Sequence, residues 1–154
     1  MPDYDLVGVC GLYCGACEHF VASLPEGQHL MLDHTKEYLC KGCRSGSANL
    51  YKSCVRCIIR DCAEQKQLEH CGQCSSFPCN MLSAFQHDGI AHHVDILTNA
   101  VKLNEKGTDI WLKEQKANWS CTCGAVYSWY AHTCSQCGEP LHSYGSDSDF
   151  DLEG

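Results

Sequence analysis

Six close cysteine pairs constrain this chain more than any other feature. Cys14–Cys17, Cys40–Cys43, Cys54–Cys57, Cys71–Cys74 and Cys134–Cys137 each enclose two residues, and Cys121–Cys123 encloses one. A two-residue gap lets both sulfurs reach one tetrahedral ion while the backbone turns around it. Buried free thiols acting as small hydrophobes would account for one such pair, but not for six. The 15 cysteines among 154 residues are an odd number, which fits poorly with a fully paired disulfide framework. The opening MPDYDLVGVCG carries two acids and no basic n-region, so no secretory signal is read there and a cytoplasmic location is expected. Thiols stay reduced in that compartment, where spaced cysteines mean metal or redox chemistry.

Composition points the same way. Taking the cysteines out of the 44% hydrophobic residues leaves about a third of the chain, thin for a conventional core. The formal charge of −8 weighs against nucleic acid and anionic membranes, both of which reward clustered Lys and Arg. No apolar stretch approaches the ~20 residues that span a bilayer. The expected fold is a small metal-stabilised α+β protein in four parts. These are a cysteine-rich metal-binding module over 1–82, a helical connector over 83–118, a zinc ribbon over 119–142 and an acidic disordered tail over 143–154.

Within the first part, VCGLYCGAC folds tightly around sulfur, aided by Gly11 and Gly15. Phe20, Val21 and Leu24 begin a helix that Pro25 ends, and a second helix is expected over 28–38. Residues 40–79 hold eight cysteines and almost no long apolar segment, so loops and short helices around metal are expected. The connector has no cysteine. Ile90, Val94, Leu97 and Val101 follow the spacing of one helical face, read as core packing. Gly107 ends that helix, and Thr108 caps the next, with Asp109 in its first turn. The last twelve residues carry four acids and no base, the composition of a solvated tail.

Cys121-x-Cys123-Gly and Cys134-x-x-Cys137-Gly read as the two knuckles of a zinc ribbon. Val126, Tyr127, Trp129 and Tyr130 have the character of hairpin strands between them. His132 is a surface residue on this reading, because four cysteines already fill the shell. Residues 119–142 contain no Lys or Arg, which argues against a nucleic-acid ribbon. In the N-terminal module the candidate pairs are Cys14 with Cys17, Cys40 with Cys43, Cys57 with either Cys54 or Cys62, and Cys71 with Cys74. Spacing does not fix which pairs share an ion. Two zinc ions there and one in the ribbon make about three. Cys10 and Cys79 remain as possible further ligands or free thiols.

Iron competes with zinc for the N-terminal module, because both accept four thiolates. Cys10-x3-Cys14-x2-Cys17 has the spacing of radical S-adenosylmethionine enzymes, but nothing here alternates strand and helix to build their larger partial barrel. A closed iron–sulfur cluster, with Cys79 as a fourth ligand, is the stronger form of that alternative. A thiol redox role is the enzyme-class rival, without the βαβ context of a thioredoxin-like motif.

The ordered series CGLYCGAC (10–17), CKGC (40–43), CIIRDC (57–62) and CGQCSSFPC (71–79) resembles the domain of unknown function 3795 family. The later WLKEQKANWSCTCG and CSQCG are similar to a helix and ribbon at the C-terminus of many members, extending the resemblance over about residues 8–138. It implies a small zinc-binding protein without an assigned activity. It maps the family's cysteines onto Cys10, Cys14, Cys17, Cys40, Cys43, Cys57, Cys62, Cys71, Cys74 and Cys79, and makes Cys54 the first to drop from the ligands. No catalytic residue comes with it.

Other chemistry is sparse. His70 is a minor candidate to replace a cysteine, and the adjacent His92 and His93 point about 100° apart on a helix and clamp an ion poorly. Lys41, Arg44, Lys52, Arg56 and Arg60 form a basic run that offsets thiolate charge. The expected function is a binding or adaptor role toward a protein or small ligand, with the enzyme question left open. Four-cysteine sites have no open position for a water nucleophile. The alternative is an iron–sulfur or thiol redox protein.

Overall fold

The computed structural model describes residues 4–30 and 39–144. Five helices carry the fold: α1 (Glu18–Val21), α2 (Ile58–Gln65), α3 (Asn80–Gln86), α4 (Ile96–Lys106) and α5 (Thr108–Asn118). Short 3-10 turns connect them, two of these starting at cysteines, Cys14–Ala16 and Cys71–Gln73. Strand pairing among the described residues is confined to isolated bridges, Val7 with Tyr13, Ser120 with Val126 and Thr133 with Pro140. The α+β expectation is therefore corrected to a mostly helical chain with little strand. The expected hairpin at Val126–Tyr130 fails for a physical reason. Trp129 donates its N–H to the Ala16 carbonyl at 3.0 Å and accepts from Tyr144 N–H at 2.8 Å, so its backbone groups are used in tertiary contacts.

The helix boundaries also differ. Helix α1 stops at Val21, and Pro25 opens a 3-10 turn, Pro25–Gly27, instead of ending a helix. The helix expected over 28–38 falls largely on residues 31–38, outside the described residues, as does the tail from residue 145. Gly107 does end α4, donating its N–H to Leu103 O at 3.0 Å, but it is also the N-cap of α5, so Thr108 is that helix's first residue and not its cap.

Helix α4 is the spine. Its buried stripe is Ile96, Ala100 and Leu103, all 0–1% exposed. Of the stripe expected from Ile90, Val94, Leu97 and Val101, Leu97 is partly buried against one core, while Ile90, Val94 and Val101 are 40%, 54% and 41% exposed. Both stripes have the same helical spacing; the phase differs, and the helix begins only at Ile96. The buried stripe serves two cores. Ile96 packs with Cys10, Ile59 and Leu82. Leu103 packs with Leu6, Val7, Tyr13 and Ala16 from the chain's start, and with Trp111, Trp119, Tyr127 and Trp129 from its later part. The second group thus binds the N-terminal segment to the C-terminal one through aromatic rings.

Trp111 is the centre of that group, fully buried and edge-on to Tyr13 at 6.3 Å. Its indole N–H has no hydrogen-bond partner among the described residues. Trp111→Ala should therefore cost about 3–5 kcal/mol in urea unfolding, the range for truncating a buried tryptophan. Trp111→Phe should cost far less, because it keeps a ring and removes the unpaired donor; equal losses would contradict this account.

His92 joins the same assembly, stacked on Trp129 at 4.2 Å with Nδ1 2.8 Å from the Tyr130 hydroxyl. Burial first, then the neighbouring His93, pushes its pKa down from 6.5 to about 3, against the pull of Asp88. A depressed base takes up its proton first in the unfolded chain, so native stability is lost as pH falls from about 6.5 toward 3. His92→Phe keeps the stack without the proton. Its stability should fall less steeply than the parent's across this range, by up to about 1.4 kcal/mol per pH unit for the one proton removed. Parallel pH profiles of the urea midpoint would contradict the assignment.

Candidate metal centre

Cys121, Cys123, Cys134 and Cys137 bring their four Sγ atoms within 4.8 Å of one another. Cys121 and Cys137 are 3.4 Å apart at sulfur, Cys123 and Cys134 3.7 Å. Zinc–sulfur bonds of ≈ 2.3 Å in a tetrahedron put sulfurs about 3.8 Å apart, so this set stands at the spacing one such ion demands.

Two local turns build it. Cys121 N–H donates to Ala125 O and Gly124 N–H to Cys121 O, both at 2.8 Å. Cys134 N–H donates to Glu139 O and Gly138 N–H to Cys134 O, both at 2.9 Å. The knuckle with one intervening residue closes one residue earlier than the other, so the shorter spacing is absorbed in the turn. Each closes on a glycine with positive φ, +94° at Gly124 and +79° at Gly138. Cys134 Sγ also accepts the Gln136 N–H at 3.4 Å.

The electrostatics show why a cation belongs there. Backbone N–H groups of Cys137 and Gln136 pull the Cys134 thiol down to about 7. The Glu139 N–H favours ionisation of Cys137, but the thiols of Cys121, Cys123 and Cys134 outweigh it and push Cys137 up to about 12. Without a cation the cluster ionises at one sulfur at the expense of another. A divalent ion would relieve that conflict, because it would bind all four as thiolates.

The N-terminal thiols form no such closed set. Among the described residues, the C-terminal cluster is the one group of three or more cysteine, histidine or carboxylate ligand atoms that meets the 4.8 Å distance. They nevertheless gather in two neighbourhoods. The Cys14 thiol is pushed well up, by burial first and then by Cys43, Cys17, Cys40 and Cys10. Burial likewise raises Cys17, to about 12, and Cys54, to about 11, with Cys40 among the neighbours of both. Farther along, burial and then Cys79, Cys62, Cys74 and Cys57 push Cys71 up to about 12. Cys57 caps α2 between the two groups. Cys54, the cysteine set aside by resemblance, lies with the first group.

The basic run acts only in part through sulfur. Arg60 Nη2 holds the Cys54 and Val55 carbonyls, both at 2.9 Å, and also hydrogen-bonds the Cys43 thiol. Arg44 instead ties backbone together: its Nε donates to Val7 O at 3.0 Å, its Nη2 to Glu69 O, and its guanidinium lies over the Tyr4 ring. The cation that sequence reading missed is Lys66, whose Nζ donates to Cys74 Sγ at 3.3 Å. Its signal was its place four residues after Cys62 on the same helical face. His70 is buried, with its charge disfavoured by burial and then by Arg44. His92 and His93 stack on Trp129 and Phe85 respectively, and His132 Nδ1 meets Ser143 Oγ at 3.3 Å.

Compared with known proteins, residues 6–84 match the model of a family described as "Protein of unknown function (DUF3795)". The match covers the N-terminal cysteine series and stops short of the C-terminal cluster, a narrower span than the resemblance over 8–138. No curated protein and no solved structure matches the chain. No helix among the described residues is long and apolar enough to cross a membrane.

The turn geometry yields a direct test. Gly138→Ala forces a Cβ onto a left-handed backbone at about 1–2 kcal/mol. It should weaken metal retention by the C-terminal cluster about five- to thirtyfold in a competition titration against a chelator; unchanged retention would show that the knuckle does not need this conformation.

Proposed function

The chain belongs to the DUF3795 family of proteins of unknown function, and we propose that it is a zinc-binding protein whose metal sites are structural and whose role is binding or adaptor work. The four converging sulfurs of Cys121, Cys123, Cys134 and Cys137 carry this reading. Their donor set is all thiolate, which suits zinc and makes a closed tetrahedral ribbon site. A closed site leaves no position for a substrate or a nucleophilic water, so the ion acts on the fold and not on a reaction. The N-terminal cysteines supply ligands for about two further ions.

A binding role is supported by what the folded chain presents. A cleft of about 580 Å³ is lined by Tyr4, Leu6, Tyr13 and Leu112, with Asp109, Lys113 and Lys116 of α5. That volume is in the range of small-ligand sites, and its wall mixes apolar side chains with charges of both signs, which suits a small polar ligand with an apolar part. Ile90, Val94 and Val101 add exposed apolar surface, the kind that protein partners cover.

Elemental analysis of anaerobically purified protein tests the metal. Zinc in a colourless preparation is expected; a brown preparation with iron and sulfide would install the iron–sulfur alternative. Cys134→Ser should release about one equivalent of zinc and unfold the ribbon while the N-terminal cysteines keep theirs. An unchanged zinc content in that variant would overturn the C-terminal site.

A further inference from the structure

Between α2, the Cys71–Gln73 turn and α3 lies a cavity of about 30 Å³. Four thiols face it, those of Cys62, Cys71, Cys74 and Cys79, set among apolar side chains and Lys66. We infer that this cavity is a second metal site, in which these four cysteines hold a single thiophilic divalent cation, zinc by the same chemistry as the C-terminal cluster. The inference rests on the reading of the chain as a metal–thiolate protein, and adds which sulfurs share an ion.

The convergence comes from the fold. Cys62 stands on α2, Cys71 and Cys74 bracket a turn, and Cys79 is the N-cap of α3. Three separate segments thus deliver one sulfur, two sulfurs and one sulfur to the same small space. The turn is anchored from behind. Cys71 N–H donates to Val9 O at 2.9 Å, and Gly72 lies so close to α4 that a Cβ there would meet the Ala100 carbonyl oxygen at 2.5 Å.

The local bonding repeats that of the C-terminal cluster. Ser76 N–H points at Cys74 Sγ at 3.4 Å, two residues on, as Gln136 N–H points at Cys134 Sγ at 3.4 Å. Such a bond orients the sulfur and favours its thiolate form, the form that binds metal. Lys66 adds a cation at Cys74. Four thiolates and one dication carry −2, and Lys66 offsets half of that. On binding, each of the four thiols gives its proton to solvent, and four metal–sulfur bonds form without oxidation or reduction.

Size and lining select the occupant. A cavity of about 30 Å³ holds two or three water-sized spheres. That is room for one ion. Water would find few strong partners on an apolar wall, whereas soft sulfur is the preferred ligand of zinc-like cations. Unlike the C-terminal cluster, no three of these four sulfurs lie within 4.8 Å of one another. Closing the cavity on an ion is the step that would bring them there.

The test uses the full chain, stripped of metal under reducing conditions and reloaded with zinc. Brief alkylation with N-ethylmaleimide, followed by peptide mass mapping, should show Cys62, Cys71, Cys74 and Cys79 protected together, reacting roughly tenfold or more slowly than in the metal-free chain. Cys79→Ser should bind one zinc fewer while Cys121, Cys123, Cys134 and Cys137 stay protected. If any of the four wild-type thiols reacts at its metal-free rate in the loaded protein, or if Cys79→Ser keeps its full zinc count, the assignment is wrong. Should Cys79→Ser fail to fold, the wild-type map alone decides. Iron and sulfide bound at these four cysteines in native protein would also overturn it. Protection of the C-terminal four without these four defeats this inference and leaves the proposed ribbon site standing; the reverse pattern defeats the ribbon site alone.

Discussion

Four sulfurs within 4.8 Å of one another are tolerable only while most keep their protons or share a cation. That constraint organises the C-terminal part of the chain. Two turns of different length end on left-handed glycines and aim their sulfurs at a common centre. Thiols spread between about 7 and about 12 are the signature of anions crowded without a counter-charge. Supplying that counter-charge would turn mutual repulsion into four bonds, and the binding energy would become folding energy.

Sulfur is not the whole scaffold. Helix α4 divides its buried stripe between two cores, Ile96 on one and Leu103 on the other. Trp111, Trp119, Tyr127 and Trp129 carry the second core from the helices into the segment that holds the C-terminal cysteines. The ribs of the fold are thus aromatic, and the cysteine turns and the packing meet at short range: Gly72, between two cysteines, rests on the Ala100 carbonyl of the same helix. A change at either level is felt by the other.

For function, the geometry separates the ways cysteine serves a protein. A reactive thiol needs access and a neighbouring cation or helix N-terminus. Several thiols here are instead raised by burial and by one another, as at Cys14 and Cys17. Cys74 and Cys134 are the exceptions, both drawn down by backbone N–H groups and Cys74 also by Lys66; Cys74 lines the sulfur-lined cavity. The proposed adaptor role accordingly rests on surfaces, above all the cleft beside Tyr13 and α5, while the sulfurs stabilise the body that presents them.

The amino-acid sequence by itself determined what is local. The Cys-x-Cys-Gly and Cys-x-x-Cys-Gly turns, the break at Gly107 and the family of the N-terminal series follow from residues a few positions apart. Spacing of this kind is legible because a turn of three or four residues leaves the backbone few alternatives. Tertiary structure decided the rest. It chose Ile96, Ala100 and Leu103 over Ile90, Val94 and Val101 of the expected stripe and kept Leu97 only in part, because the buried stripe depends on where the helix starts and what meets it. It left the aromatic run near Trp129 without a hairpin, because its backbone groups found Ala16 and Tyr144 first. It brought Cys62, Cys71, Cys74 and Cys79 around one cavity, although 17 positions separate the first from the last. Which distant sulfurs become neighbours is fixed by how helices pack, and no spacing along the chain encodes that.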